Sequence, residues 1–184
     1  KRKEAFQPLV AGRVGIYLCG PTVYREAHIG HMVGPVIFDT VKRYLTYCGY
    51  TVRWVVNITD VDDKLIAEAV RRNIPMSQVA DEMTEDYLRN LSALGVDQID
   101  DMPRATEHID AMIELIRRIE AAGYTYFADG NLYFDISRLP DYGKLTGQNL
   151  EDLKAGARIE VDPNKRSPLD FVLWFTRSKF EHQA

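Results

Sequence analysis

Val14-Gly-Ile-Tyr-Leu18, then Cys19-Gly-Pro-Thr-Val-Tyr24, then Ala27-His-Ile-Gly-His31, is the stretch that decides the fold. Its first five residues are an apolar run that stops at the turn signals Gly20-Pro21, the pattern of a buried strand. Beyond it Val36, Ile37, Val41, Tyr44, Leu45 and Cys48 recur at helical spacing until Gly49, a glycine placed to end a helix. Proline is tolerated in a first turn and breaks a helix interior. The regular helix is therefore expected to begin near Gly34-Pro35, with both histidines in the turn leading into it. Thr51 to Ile58 is β-branched and mostly apolar, as in a strand covered on both faces of a parallel sheet. Strand, helix and strand in this order make a right-handed βαβ unit.

Further out, helical patterns cover about 62–73, 76–94 and 105–122. The last carries Ile109, Met112, Ile113, Ile116 and Ile119 on one face, which predicts an amphipathic helix lying on a sheet. Texture changes after Gly123. Tyr124-Thr-Tyr-Phe127 and Leu132-Tyr-Phe-Asp-Ile136 flank Asp129-Gly130, a strong hairpin signal. Residues 137–168 are rich in turn formers, and Leu169–Phe175 is a final apolar run. The fold class expected is α/β: a Rossmann-like parallel sheet, present in two or three of its strands, with a small antiparallel β insertion. The expected divisions are 1–123, 124–168 and 169–184.

The chain has 184 residues, 46% of them apolar and 27% charged, with a formal net charge of -4. This supports a packed core and argues against a uniformly basic, nucleic-acid-coating surface. Local basic steps occur at Lys42-Arg43, Arg71-Arg72, Arg117-Arg118 and Lys165-Arg166. Two cysteines, Cys19 and Cys48, are too few for a disulfide framework, which fits a reducing compartment. No apolar run has the length of a membrane span, and the N-terminal Lys-Arg-Lys-Glu segment lacks the apolar core of a signal peptide. A soluble, cytoplasmic protein is expected.

Ligands of open α/β sheets bind beyond the carboxyl ends of strands, where Cys19–His31 is expected. Gly20 permits close backbone approach, and Gly30 offers a flat surface to a nucleobase. Free N–H groups at the following helix start favour phosphate. His28 and His31 can donate hydrogen bonds to phosphate oxygens and strengthen them as charge moves in a transition state. The pattern suits nucleotide chemistry without a covalent nucleophile. Zinc on the two histidines is disfavoured, because the spacing lacks the helical His-Glu-x-x-His arrangement. Asp60, Asp62 and Asp63 read as helix-capping acids rather than a magnesium site.

Cys19-Gly-Pro-Thr-Val-Tyr24, Ala27-His-Ile-Gly-His31, Asn57-Ile-Thr-Asp-Val-Asp-Asp-Lys64, Pro103-Arg-Ala-Thr-Glu-His-Ile109, Gly156-Ala-Arg158 and Pro168-Leu-Asp-Phe-Val-Leu-Trp174 together resemble the cysteinyl-tRNA synthetases, a class I aminoacyl-tRNA synthetase family. The resemblance implies ATP-dependent activation of L-cysteine to cysteinyl-adenylate, then transfer to tRNA(Cys). It implies that 1–123 is the first half of the catalytic domain, 124–168 a connective-peptide-like insertion and 169–184 a return segment. His28 and His31, in the HIGH motif, would be catalytic and bind the ATP phosphates, with Gly30 beneath the adenine. Gly20 and Thr59 would meet the substrate cysteine. Cys19 would be the first ligand of a Zn2+ that reads the substrate thiolate, and Mg2+ would accompany ATP. Capping the next helix is an equal role for Thr59.

Arg25-Glu26 and Met32-Val33 depart from the family pattern around the histidines. The resemblance also implies further zinc ligands, a lysine-rich ATP loop and an anticodon-binding domain. None is legible in this sequence, and Ser178-Lys-Phe180 is no substitute for the loop. Since one cysteine cannot hold zinc, the 184 residues are expected to be an N-terminal part, inactive alone. Other readings are a cysteine:amino-sugar ligase, a nucleotidylyltransferase with a His-x-Gly-His turn, and a non-catalytic nucleotide-binding fragment. Oligomeric state is not legible, although an incomplete sheet would leave an edge open to a partner.

Overall fold

The computed structural model describes residues 3–145, 147 and 164–175. Gly156-Ala-Arg158 and Ser178-Lys-Phe180 lie outside the described residues. The chain forms two compact units that meet in sequence between His108 and Ile109.

In the first unit β1 (Arg13–Leu18), α1 (Ile29–Tyr47) and β2 (Thr51–Val56) form the expected βαβ unit. The strands are parallel, in register from Arg13 opposite Thr51 to Leu18 opposite Val56. The second edge of β2 is taken by the 100–105 segment. There the Val56 and Ile58 amides donate to the Asp101 and Pro103 carbonyls, and the Ala105 amide donates to the Ile58 carbonyl. With neighbours on both edges, β2 and the residues just after it bury Trp54, Val56 and Ile58 almost completely. Helices α2 (Asp63–Arg72) and α3 (Met76–Ala93) add Leu65, Ala69, Val79, Tyr87 and Leu91 to the same core. The Asp62 carboxylate caps α2 by accepting from the Lys64 amide, and Asn73 closes that helix in the left-handed region.

Two sequence expectations change. β1 is not a buried strand: exposed and half-buried residues alternate along it, and Tyr17 is 67% exposed. Among the described residues β1 pairs with β2 alone, and a strand sinks only when neighbours cover both edges and faces. The start of α1 also moves, from Gly34-Pro35 back to Ile29, so Pro35 lies inside the helix. Two basic steps prove to be structural. Lys42 is buried, donating to the Asp100 carboxylate at 2.5 Å and the Gln98 carbonyl at 2.6 Å. Arg43 binds Asp39 and Asp97, while Arg71 and Arg72 bind Glu68 and Glu82. None of these four is free to form a basic patch.

In the second unit α4 (Ile109–Ala121) contacts β3 (Thr125–Ala128). None of its residues is buried, so its apolar stripe is only half-covered. β3 and β4 (Asn131–Phe134) form the expected hairpin. Asp129 and Gly130 both have positive φ, 46° and 78°, as a two-residue turn matched to strand twist requires. β5 (Phe171–Trp174) adds to β4, giving an antiparallel sheet in the order β3-β4-β5. Asp170, 1% exposed, ties it together by accepting from the Tyr126 hydroxyl and the Ile136 and Ser167 amides.

Candidate functional site at the strand ends

Beyond Leu18 and Val56 the two parallel chains stay paired. The Thr59 amide donates to the Pro21 carbonyl at 3.0 Å, and the Val23 amide to the Thr59 carbonyl at 3.1 Å. This brings Cys19-Gly20 and Thr59 together from positions nearly forty residues apart in sequence. The approach is so close that a Cβ at Gly20 would fall 1.7 Å from the Asn57 carbonyl oxygen. Gly20 is thus required by backbone proximity, whatever it offers a ligand.

Asn57 holds this junction. Its Oδ1 accepts from the Gly20 amide and from the Tyr17 hydroxyl, both at 3.0 Å, and its Nδ2 donates to Thr59 Oγ1 at 3.2 Å. Asp60 is buried and accepts from the Thr106 amide and hydroxyl at 2.9 and 2.6 Å. Its expected role as a helix cap falls to Asp62, because Asp60 is turned toward the 103–108 segment. Thr59 does not cap α2 either.

The histidines cap α1 for each other. His28 is the N-cap residue, and its Nδ1 accepts from the Gly30 amide at 3.1 Å. His31, three residues on, returns its Nδ1 to the His28 amide at 3.2 Å. This is the reciprocal geometry of a capping box, built from imidazoles. It explains why α1 starts before Pro35: the otherwise unsatisfied amides of the first turn already have partners. An amide N–H only donates, so each Nδ1 must be the unprotonated nitrogen of a neutral ring. Each ring proton then sits on Nε2. The rings stack with centroids 3.9 Å apart. A Cβ at Gly30 would come 2.8 Å from His28 Cε1, so Gly30 also makes room for the ring. Burial, the repulsion a second protonated ring at His28 would exert, and Arg25 lower the His31 pKa below its ordinary 6.5. From α3, Asp86 fixes the approach to the pair by accepting from the Ala27 amide at 2.8 Å.

Cys19, Gly20, Gly30, His31, Gly34 and Tyr87 line a cavity of about 160 Å³. A larger one, about 630 Å³, lies by the 6–10 segment, Arg13 and Arg53. That is the start of the strands, where the convergent donors described above are absent. The small cavity at the carboxyl ends is the better site, following the rule for open α/β sheets. Of the expected site residues, Cys19, Gly20, Gly30 and His31 share it; His28 joins through the cap and Thr59 through Asn57. The sequence reading gave no role to Asn57, Tyr17 or Asp86. Asn57 lay inside a quoted motif, but nothing local in the sequence reveals a partner on another strand.

Cys19 is an exposed free thiol. Among the described residues no group of three or more His, Cys, Asp or Glu side chains could hold a metal. One thiolate falls short of the three protein ligands of a zinc site, so these residues by themselves do not fit zinc. No helix among them is long and apolar enough to cross a membrane.

Residues 5–183 match the family described as tRNA synthetases class I (C) catalytic domain. A cysteine–tRNA ligase of Treponema denticola is 49% identical over 193 residues, covering 100% of this chain and 39% of the relative. One from Finegoldia magna is 46% identical, covering 100% of this chain and 40% of the relative. The chain thus spans about two fifths of the length of these curated relatives. Among solved structures, Mycobacterium tuberculosis methionyl-tRNA synthetase in complex with methionyl-adenylate superposes with a TM-score of 0.59 at 20% identity. The superposition covers 72% of this chain and 34% of that one, a likeness of fold.

Proposed function

Because the chain belongs to the class I tRNA synthetase (C) catalytic-domain family, we propose that it carries the first half of a site that activates L-cysteine with ATP and passes it to tRNA(Cys). In the first step a cysteine carboxylate oxygen attacks the α-phosphorus of ATP. A phosphorus–oxygen bond forms, the bond to pyrophosphate breaks, and cysteinyl-adenylate results. In the second, a hydroxyl of the terminal adenosine of tRNA attacks the activated carbonyl and AMP leaves.

The observation that carries this reading is the mutual cap of His28 and His31. It leaves two Nε2–H donors at the start of α1 for the oxygens of a phosphate. Neutral donors held rigidly stabilise developing charge without rearranging during the reaction. Gly30 serves as the surface under the adenine. Gly20 and Thr59 border the amino-acid substrate where the strands end. The catalytic-domain half is read as 1–123, the connective-peptide-like insertion as 124–168 and the return segment as 169–184. The cellular setting is read as cytoplasmic.

Cys19 stands at the carboxyl end of β1 as one thiolate ligand for zinc, with the remaining ligands from outside the described residues. When bound, zinc would supply a soft contact distinguishing a thiol from a hydroxyl; no step here is routed through it. Magnesium would enter with the ATP phosphates. High identity to cysteine–tRNA ligases over the whole chain does not favour the amino-sugar alternative.

The test is cysteine-dependent ATP–pyrophosphate exchange by the full-length gene product carrying this chain. Exchange is expected with cysteine and not with serine. His28→Ala is expected to lower it about 100-fold or more, the scale of one lost transition-state donor. Absence of cysteine-dependent exchange refutes the reading, and near wild-type exchange by the histidine variant refutes the phosphate role.

A further inference from the structure

Asn57 sits between the Cys19-Gly20 turn and Thr59, and its orientation follows from chemistry alone. The Gly20 amide can only donate, so the atom facing it must be the carboxamide oxygen. The same oxygen faces the Tyr17 hydroxyl, which must therefore donate. The carboxamide nitrogen then faces Thr59 Oγ1, and the threonine oxygen accepts. One hydroxyl accepting on that side keeps its own proton for another direction. Each member of the chain has its polarity set by the Gly20 amide.

We infer that Asn57 is a positioning residue that makes Thr59 a hydrogen-bond donor toward an anionic group of the amino-acid substrate, while locking the turn that carries Cys19. This rests on the reading of the site as one that activates cysteine. A free amino acid presents a carboxylate, which requires donors. A freely rotating threonine hydroxyl would spend part of its time offering lone pairs instead. Tyr17 is polarised the opposite way: with its proton held by Asn57, its oxygen offers only lone pairs outward. The hydroxyls at the two ends of the network thus differ in sign, as do the ends of a zwitterion.

Asn57→Asp is the informative change. A carboxylate still accepts from Gly20 and Tyr17, so the turn keeps its bonds. It cannot donate to Thr59, whose proton must turn back toward it. In the full-length gene product the KM for cysteine is expected to rise about tenfold, equivalent to about 1.4 kcal/mol, with the KM for ATP within about twofold. Thr59→Val is expected to match that cysteine-specific rise and Thr59→Ser to retain the wild-type KM. Asn57→Asp added to Thr59→Val should then cost little more, since coupled residues are non-additive. Equal rises in both KM values, or full additivity, would overturn the inference. So would an unchanged cysteine KM in Thr59→Val, whose isosteric side chain preserves folding even if Asn57→Asp does not. Failure of the underlying reading shows separately, as a wild-type protein without cysteine-dependent exchange.

Discussion

His28 and His31 each close the start of α1 on the other's behalf: Nδ1 of His28 takes the Gly30 amide, and Nδ1 of His31 takes the His28 amide. The same two bonds cap a helix and choose a tautomer. Helix capping and the tautomer of both rings are therefore linked in one small structure.

That link predicts a spectroscopic signature. Long-range nitrogen–proton correlation spectra of the 184-residue chain at neutral pH should show both rings protonated at Nε2. A ring protonated at Nδ1 alone would contradict the cap. Acid should break it, because a protonated Nδ1 cannot accept. The folded-state pKa of His31 is depressed by burial, the repulsion between two protonated rings and Arg25, so the unfolded chain takes up its proton first. The stability this neutral ring contributes is complete above about 6.5, the unfolded value. It is lost as pH falls from there through the lower folded value, which melting curves across that window would reveal.

Gly20 and Gly15 make a matched comparison on one strand and its extension. A Cβ at Gly20 would meet the Asn57 carbonyl oxygen at 1.7 Å, whereas one at Gly15 meets nothing within 4 Å. Gly20→Ala is expected to cost about 3 kcal/mol, at the upper end of overpacking. Gly15→Ala should change stability by about 0.5 kcal/mol or less. Thermal denaturation of the two variants decides the matter, and equal melting temperatures would disprove the close approach.

Lys42 should resist replacement although lysine is normally a surface residue. Its ammonium joins α1 to Asp100, which also accepts from the Trp54 amide of β2. Lys42→Met is expected to cost about 2 kcal/mol, the scale of a charge-assisted hydrogen bond. Burial raises the Asp100 pKa, but Lys42, the Trp54 amide and Arg53 outweigh it and hold the carboxyl below its ordinary 3.8. The stability gained is present above the unfolded value and disappears as pH falls through the folded one. Acid denaturation of the Lys42→Met variant should therefore lose part of the wild-type pH dependence below about 4.

Asp170→Asn tests the second unit. Three donors converge on this buried carboxylate, and an asparagine must turn an NH2 toward at least one of them. A loss of about 3 kcal/mol is expected, the cost of a broken charged bond and an unsatisfied group. Burial, together with the Asp170 carboxylate against the arginine-side contacts, puts the Tyr126 phenol at about 12. Spectrophotometric titration of the variant should bring it down; no change would remove Asp170 from that environment.

Much of this organisation is legible in the sequence. The βαβ order follows from residue types a few positions apart, and the Asp129-Gly130 turn from backbone freedom at two residues. That Cys19-Gly20 follow a strand, and lie beside Gly30 and His31 at its carboxyl end, was likewise expected. The histidines' mutual cap was less visible, since imidazoles are seldom read as caps; the Pro35 rule set the helix start too late for that reason. Asn57, Asp60 and Lys42 were harder still. Their partners Gly20, Thr106 and Asp100 are brought to them by strand pairing and by the path of the 100–106 segment.

Sequence by itself therefore determined which segments become strands and helices, because propensity, turn chemistry and hydrophobic period act over a few residues. The tertiary structure decided which donor faces which acceptor. The contact of Asn57 with Thr59 and Gly20, the requirement for glycine at position 20 and the burial of Lys42 all depend on how the strands and the 100–106 segment pack. Hydrogen bonds are directional and short, so their pairing exists only once packing has set those distances to about 3 Å.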